Sequence, residues 1–376
     1  MKEIKMVDLF SHYLDIKDEI SVAFHDIFDH STFVKGPQVD QFSKDLKNYL
    51  NVAHVIPCAN GTDALQIALM ALELKPGNEV ITTPFTFVST VEVIALLGLK
   101  PVFVDIDAET FNLSADQIES KITPRTKAII PVHLFGQSAA VDPIMQLADE
   151  HQLFVVEDNA QAMGAEYISR DGLSSKTGTL GHIGTTSFFP SKNLACFGDG
   201  GALFTDNDEL AGRMNKICNH GSSEKYHHEL VGVNSRLDSL QAAVLIANLK
   251  RLDHYNQKRL EAANYYDELL NEVEGVRTPR RSNRSTHIFH QYTLRIKNKR
   301  ESVTSKFKAS DIPYGIYYPI PLHLQKAYVG YGYKRGDFPN AERISEEVIS
   351  LPIHPYLTRD QQEFIVDQLI KAIAGN

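Results

Sequence analysis

Between residues 54 and 205, short apolar β-branched runs alternate with segments of helical periodicity, and no other feature limits the fold so sharply. Glu79–Thr83 (EVITT), Pro101–Asp105 (PVFVD), Lys127–His133 (KAIIPVH) and Leu153–Glu157 (LFVVE) are too continuously apolar to keep one face wet. They read as strands buried on both sides. Asp63–Leu74, Phe87–Leu97 and Val141–His151, lying between them, carry helix periodicity. Such repetition gives an α/β fold, a mostly parallel sheet covered on both faces by helices. The turns agree, since Lys75-Pro-Gly-Asn78 closes a helix and Gly98-Leu-Lys-Pro101 leads into a strand. Ligands of such sheets bind beyond the carboxyl ends of the strands.

With 376 residues the chain has room for two domains. Two helical patterns run from Ser235 to about Glu274 and meet near Asp253, the second bridging to a smaller unit. Beyond about residue 280, short strands (Gln291–Ile296, Tyr314–Tyr318) mix with helices (Ser302–Ala309, Asn340–Val348, Arg359–Ala374), a compact α+β pattern. The expectation is a large domain over 1–250, whose first segment can pack on the small one, and a small domain over 251–376. The basic run Arg277–Arg284 (RTPRRSNR) reads as a solvated loop between domains or as a phosphate patch.

A net charge of -9 argues against non-specific binding to nucleic acid, so an anionic ligand has to be held by local donors. The opening MKEIKMVDLFSHYLDIKDEI lacks the apolar core of a signal peptide, and nowhere do about 18 apolar residues run together. A cytoplasmic protein without membrane contact is expected. The three cysteines (Cys58, Cys196, Cys218) form no CxxC pair and the 15 histidines no HExxH, so buried reduced thiols and no catalytic metal are expected.

Several segments carry chemistry. Gly61 and Thr62 follow the strand-like HVIPC and open a helix, where free backbone N–H groups, a hydroxyl and the positive dipole end suit a phosphate monoester, or serve as an ordinary N-cap. Asp158 ends the run LFVVE; a buried carboxylate there needs a partner such as a protonated ring nitrogen, unless it caps the next turn. Gln161 can donate to a ring oxygen. Phe85, in a loop fixed by Pro84, can lie over a flat ring or belong to the core. The segment Thr185-Thr-Ser187-Phe-Phe-Pro-Ser-Lys192, followed by Gly198-Asp-Gly-Gly201, adds a second hydroxyl at Ser187 and an amine, Lys192, for a Schiff base. Phosphate cup, ring-nitrogen acid and lysine together are what pyridoxal 5'-phosphate (PLP) requires.

These motifs, with FVKGPQVDQF (Phe33–Phe42), PFTFVSTVE, PVHLFGQ, VVEDNAQAMGA, SFFPSK, GDGGAL and SLPIHPYL (Ser350–Leu357), resemble the fold-type I PLP enzymes and, within them, sugar aminotransferases of the DegT/StrS type. The resemblance implies a large, mostly parallel seven-stranded α/β/α sheet domain and a smaller C-terminal α+β domain. It assigns Lys192 to the covalent link, Asp158 to the pyridine nitrogen, Gln161 to the ring oxygen, and Gly61, Thr62 and Ser187 to the phosphate. It also implies a homodimer with shared active sites, in which Asn234 reaches the phosphate of the neighbouring subunit's cofactor.

Tyr226-His-His228, the run Gly232–Gln241 and Tyr317-Tyr-Pro-Ile-Pro-Leu-His323 resemble the branch acting on nucleotide-linked 3-keto sugars. That likeness implies L-glutamate as amino donor and a UDP-linked 2-acetamido hexuronic acid as acceptor, made for bacterial surface polysaccharide such as lipopolysaccharide O-antigen. Arg236 can pair with a carboxylate or phosphate there, and Tyr317 and His323 can donate to the nucleotide; all three can also be structural supports. Relatives that dehydrate sugars carry His in place of the lysine, so Lys192 argues for transamination. The alternatives are a 4-keto sugar aminotransferase of the same family and a PLP-binding regulator that has lost its chemistry.

Overall fold

The computed structural model describes residues 3–375. Two helices, α1 (Leu9–His30) and α2 (Pro37–Leu50), precede the sheet; α2 starts on Pro37, where a missing N–H costs nothing. The chain then alternates through β1 (His54–Cys58), α3 (Gly61–Ala71), β2 (Glu79–Thr82), α4 (Ser89–Leu96), β3 (Lys100–Phe103), β4 (Thr126–Ile129), α5 (Val141–His151) and β5 (Phe154–Asp158). A small hairpin, β6 (Glu166–Ile168) and β7 (Ser174–Lys176), leads to β8 (Ile183–Ser187) and β9 (Gly201–Thr205). Seven strands form one sheet in the order β1-β9-β8-β5-β4-β2-β3. Neighbours from β8 to β3 pair in parallel, whereas β9 runs antiparallel to both β8 and β1.

That reversal shapes the centre of the molecule. Ser187 at the end of β8 pairs with Gly201 at the start of β9, so the residues between them form a closed loop at the carboxyl edge of the sheet, without a crossover helix. The same register sets Thr185 beside Asp158 at the end of β5. Gly201 has to be glycine, because a Cβ there would sit 2.5 Å from the carbonyl carbon of Asn60.

After α6 (Asp208–Cys218) come a hairpin, β10 (Ser222–Glu224) and β11 (His227–His228), and the helices α7 (Ser239–Leu249) and α8 (Leu252–Leu270). An antiparallel sheet of β12 (Val276–Arg277), β13 (Tyr292–Ile296) and β14 (Val348–Leu351) follows, interleaved with α9 (Arg300–Ala309), α10 (Pro339–Glu347) and α11 (Arg359–Ala374). Its core joins Tyr266, Tyr292, Phe307 and Ile365, all fully buried, each contributing about 1.5–3 kcal/mol through burial. Leu252 at the start of α8 packs with the large-sheet core, while Ala263, Tyr266 and Leu270 farther along pack with the C-terminal one.

The N-terminal segment also spans the two cores. Ile4 packs in the C-terminal core, Asp15 of α1 accepts from the hydroxyls of Tyr255 and Tyr356, and His12 meets Asn248 at 2.9 Å. Among the described residues no helix is long and apolar enough to cross a membrane, and no cluster of three metal-ligating side chains occurs.

Two sequence expectations need correction. Tyr314–Tyr318 is not a strand; only Gly315 bridges, to Ser350, because Pro313 and Pro319 flank the run and cannot donate to a ladder. Val348 opens β14 instead of closing the preceding helix.

Candidate active site

The site assembles at the carboxyl edge of the sheet. Asn60 caps α3 by accepting from Asp63 N at 2.8 Å, so the capping role falls to Asn60 and leaves the Thr62 hydroxyl free for other work. That hydroxyl lies 2.7 Å from Ser89 Oγ in the first turn of α4. Ser187, from β8, presses against Gly61 so closely that an added Cβ would be 2.6 Å from its own Cβ. Three hydroxyls and a helix N-terminus therefore converge on one spot, the donor set for a phosphate monoester. Sequence reasoning passed over Ser89, although it opens a helix much as Thr62 does.

Asp158 is 5% exposed. Thr90 Oγ1 donates to its Oδ2 at 2.8 Å, and the Ala160 amide to its Oδ1 at 3.2 Å, but no cationic side chain pairs with it among the described residues. The Ala160 contact is the turn cap foreseen as an alternative, and it occupies only one oxygen. Thr90 is itself fully buried and within 3.2 Å of the Thr86 hydroxyl. It too went unnoticed in the sequence, since a threonine inside an apolar helix looks like filler.

Next along the chain, Gln161 accepts from Phe135 N at 2.8 Å and donates from Nε2 to Tyr318 Oη at 3.1 Å. Burial pushes the Tyr318 hydroxyl well above its ordinary range, so it stays protonated. Behind Asp158, Glu157 is wholly buried and accepts from His133 Nε2 (2.7 Å) and from the amides of Gly178, Leu180 and Gly181. Burial alone would raise its carboxyl, yet these donors hold it below the usual value. Because Ala139 N donates to the other ring nitrogen of His133, the shared proton sits on Nε2.

Lys192 lies in the loop between β8 and β9, its N–H bonded to Phe189 O at 2.8 Å. Loss of solvent pushes its ammonium down to about 8, and the nearby Asp158 charge pulls the other way. His290, buried beside it, is kept neutral by burial and by Lys192 itself. The structure thus brings together Gly61, Thr62 and Ser187, and places Lys192 within the field of Asp158, which Gln161 follows by three residues.

The other candidates fare differently. Phe85 is 0% exposed and is enclosed by Phe111, Phe135 and Tyr318, with ring centroids 5.9–6.4 Å away, so no face remains for a ligand. Phe87, two residues on and 55% exposed, is the open aromatic of that loop. His323 is also 0% exposed, bonded to Glu342 at 3.0 Å and edge-on to Phe338, which makes it a tie within the C-terminal part in place of a nucleotide contact. Tyr317 is half-buried beside Tyr318. Arg236 lines a separate cleft with Lys35, His54 and Asn215, and Asn234 is exposed; among the described residues no hydrogen bond joins either to the residues around Lys192.

These features fit PLP. A Cβ on Gly61 would fill the phosphate cradle, and Asp158 is a buried anion whose missing partner is a cation, which a protonated pyridine supplies. Comparison with known proteins agrees. A "Pleiotropic regulatory protein" of Geobacillus stearothermophilus is 44% identical over 97% of this chain and 97% of its own length. The UDP-2-acetamido-2-deoxy-3-oxo-D-glucuronate aminotransferase of Pseudomonas aeruginosa is 44% identical over 94% of this chain and 96% of its own. Among solved structures, S. venezuelae DesV in complex with a ketimine intermediate superposes with a TM-score of 0.94 at 36% identity, covering 99% and 98% of the two chains. Residues 14–370 match the DegT/DnrJ/EryC1/StrS aminotransferase family. The chain belongs to that family and is a PLP-dependent sugar aminotransferase.

Proposed function

We propose that the protein moves an amino group from L-glutamate to carbon 3 of a UDP-linked 3-keto sugar, a 2-acetamido hexuronic acid. The observation that carries the chemistry is the Lys192 amine, lowered to about 8 by loss of solvent, in the field of the buried Asp158 carboxylate. The sugar follows from the likeness to the Pseudomonas enzyme.

The cofactor supplies a carbonyl that takes up the amine and a ring that accepts the electron pair released at the substrate carbon. The protein does the rest. Gly61, Thr62, Ser89 and Ser187 would hold the phosphate, Asp158 would keep a proton on the ring nitrogen, and Phe87 would cover the ring. Asp158 can do this because Thr90 fixes its orientation. Lys192 Nζ would link the cofactor covalently and, as a free amine, would accept and give back the proton at the substrate carbon. An amine lowered to about 8 is neutral often enough near neutral pH to act as that base.

We place Arg236 and Tyr317 on the sugar nucleotide and Asn234 on the phosphate of a second subunit's cofactor. This homodimer is supported by the exposed position of Asn234 and by the uncovered Phe10, Phe28, Phe33 and Phe197. The large and small domains meet at 250/251, and the setting is cytoplasmic synthesis of surface polysaccharide, lipopolysaccharide O-antigen included.

Incubation with L-glutamate and, in parallel, a UDP-linked 3-keto sugar, its UDP-linked 4-keto isomer and a dTDP-linked 3-keto sugar, followed by NMR of the products, tests the reading. Amination at carbon 3 of the UDP sugar is expected, and amination at carbon 4 or a preference for dTDP would overturn it. The regulatory name of the Geobacillus relative makes a second measurement worthwhile. A protein that only binds PLP would leave the cofactor's absorbance unchanged on adding glutamate.

A further inference from the structure

Away from the Lys192 centre, a cleft of about 540 Å³ is lined by Arg277, Arg295, Lys297 and Arg343, with Glu109 and Glu347 as its only carboxylates among the described residues. We propose that it is a second ligand site, one that takes a diphosphate group, either free pyrophosphate or the diphosphate of a nucleotide. None of its lining residues belongs to the site described above.

The floor of the cleft is prebuilt. Arg295 is buried, held by Glu347 (Nε and Nη2 both at 2.9 Å) and by the carbonyl of Ala108, so its guanidinium is oriented before any ligand arrives. Fixed guanidinium groups bind phosphate oxygens at low entropic cost. Glu109 lies 3.6 Å from Arg295 and 3.7 Å from Arg277, beyond hydrogen-bonding distance, and is itself half exposed. One loosely held carboxylate thus sits where two cations converge and can be displaced by a more strongly charged group.

The rim supplies exposed charge. Among the described residues Lys297 forms no ion pair and Arg343 bonds only the amide oxygen of Asn340. Four cations against two carboxylates leave a positive concavity on a chain whose net charge is -9. Local fields of this kind concentrate anions, and the volume suits a nucleotide-sized molecule.

The basic run Arg277–Arg284 points the same way. Arg281 is paired with Asp267 and Arg284 with Asp142, which accounts for them structurally. Arg277 faces the cleft with Glu109 as its single ionic partner among the described residues.

Calorimetric titration of the PLP-loaded protein with inorganic pyrophosphate, and separately with UDP, tests the proposal at an ionic strength of about 50 mM, where exposed charges are weakly screened. An Arg236→Ala background removes the cation proposed for the substrate side. Pyrophosphate binding is expected to persist in that background and to weaken at least about tenfold when Lys297→Ala and Arg343→Ala are added. The charge-preserving pair Lys297→Arg and Arg343→Lys should keep it. Both positions are exposed, and unchanged melting of the variants would show that the fold is intact. UDP binding more tightly than pyrophosphate, with the same dependence on the rim, identifies a nucleotide as the occupant; equal affinity identifies free pyrophosphate. Binding that is absent in the Arg236→Ala background, or indifferent to the rim substitutions, overturns the proposal.

Discussion

Thr90→Val removes one hydroxyl and keeps the shape of the side chain, so it isolates the contact that orients Asp158. Thr90 is 0% exposed and Asp158 5%, which leaves little room for water to replace the lost donor at 2.8 Å. A hydrogen bond to a charged group contributes about 1.5–3 kcal/mol, equivalent to roughly ten- to hundredfold in an equilibrium constant. The Ala160 amide still holds Oδ1, so the loss is partial. Thr90→Val should therefore bind PLP about ten- to hundredfold more weakly and slow the glutamate half-reaction to a similar degree, with the KM for glutamate nearly unchanged. Dialysis against graded PLP gives the first quantity and stopped-flow absorbance the second. Thr90→Ser keeps the hydroxyl and should recover most of both. Affinity and rate within twofold of the parent in the valine variant, with the apoprotein melting normally, would refute the idea that Thr90 positions the carboxylate.

Further outcomes follow from neighbouring contacts. Covalent capture of PLP by the apoprotein needs the neutral Lys192 amine, so its rate should rise about tenfold per pH unit below 8 and level off above it. A rate still climbing past pH 10 would mean an ordinary lysine. Gly61→Ala drives a Cβ to 2.6 Å from Ser187 Cβ, and PLP affinity should fall at least about tenfold, as read by the same dialysis. Phe87→Ala should weaken PLP with little change in denaturant midpoint, whereas Phe85→Ala should cost about 3–5 kcal/mol of stability; the reverse pattern would put the ring contact back on Phe85. Glu157→Ala strands His133 and three amides in a dry interior, and urea unfolding should show a loss of about 3 kcal/mol or more.

Periodicity and turn chemistry made the central strands and their helices legible, and α5 and α11 run over the very residues read from the sequence. Gly61, Thr62, Ser187 and Lys192 were legible because they stand at strand ends and helix starts, where local rules speak. What local rules cannot show is which of two similar residues faces the open side. Phe85 and Phe87 are indistinguishable as letters, and only the packing of Phe111, Phe135 and Tyr318 decides between them. His323 likewise looked like a ligand donor until Glu342, from a helix farther along the chain, claimed it. Thr90 was hidden because its partner lies 68 residues away. The failed strand at Tyr314–Tyr318 is a different case, in which the apolar content favours a strand and Pro313 and Pro319 on either side oppose it.

The N-terminal segment imposes an order on assembly. Asp15 meets Tyr356 at a separation of 341 positions, and Gln361 closes on the carbonyl of Glu3 at a separation of 358. Contacts so distant in sequence form late, since the whole chain has to be confined before they offer any return. A nascent chain on the ribosome can pair its central strands while α1 still has an uncovered flank, and that flank waits for the last helix to emerge. An interrupted synthesis leaves α1 seated on α7 but with the Asp15 carboxylate and the Glu3 carbonyl without their C-terminal donors, the kind of species that chaperones retain and proteases remove.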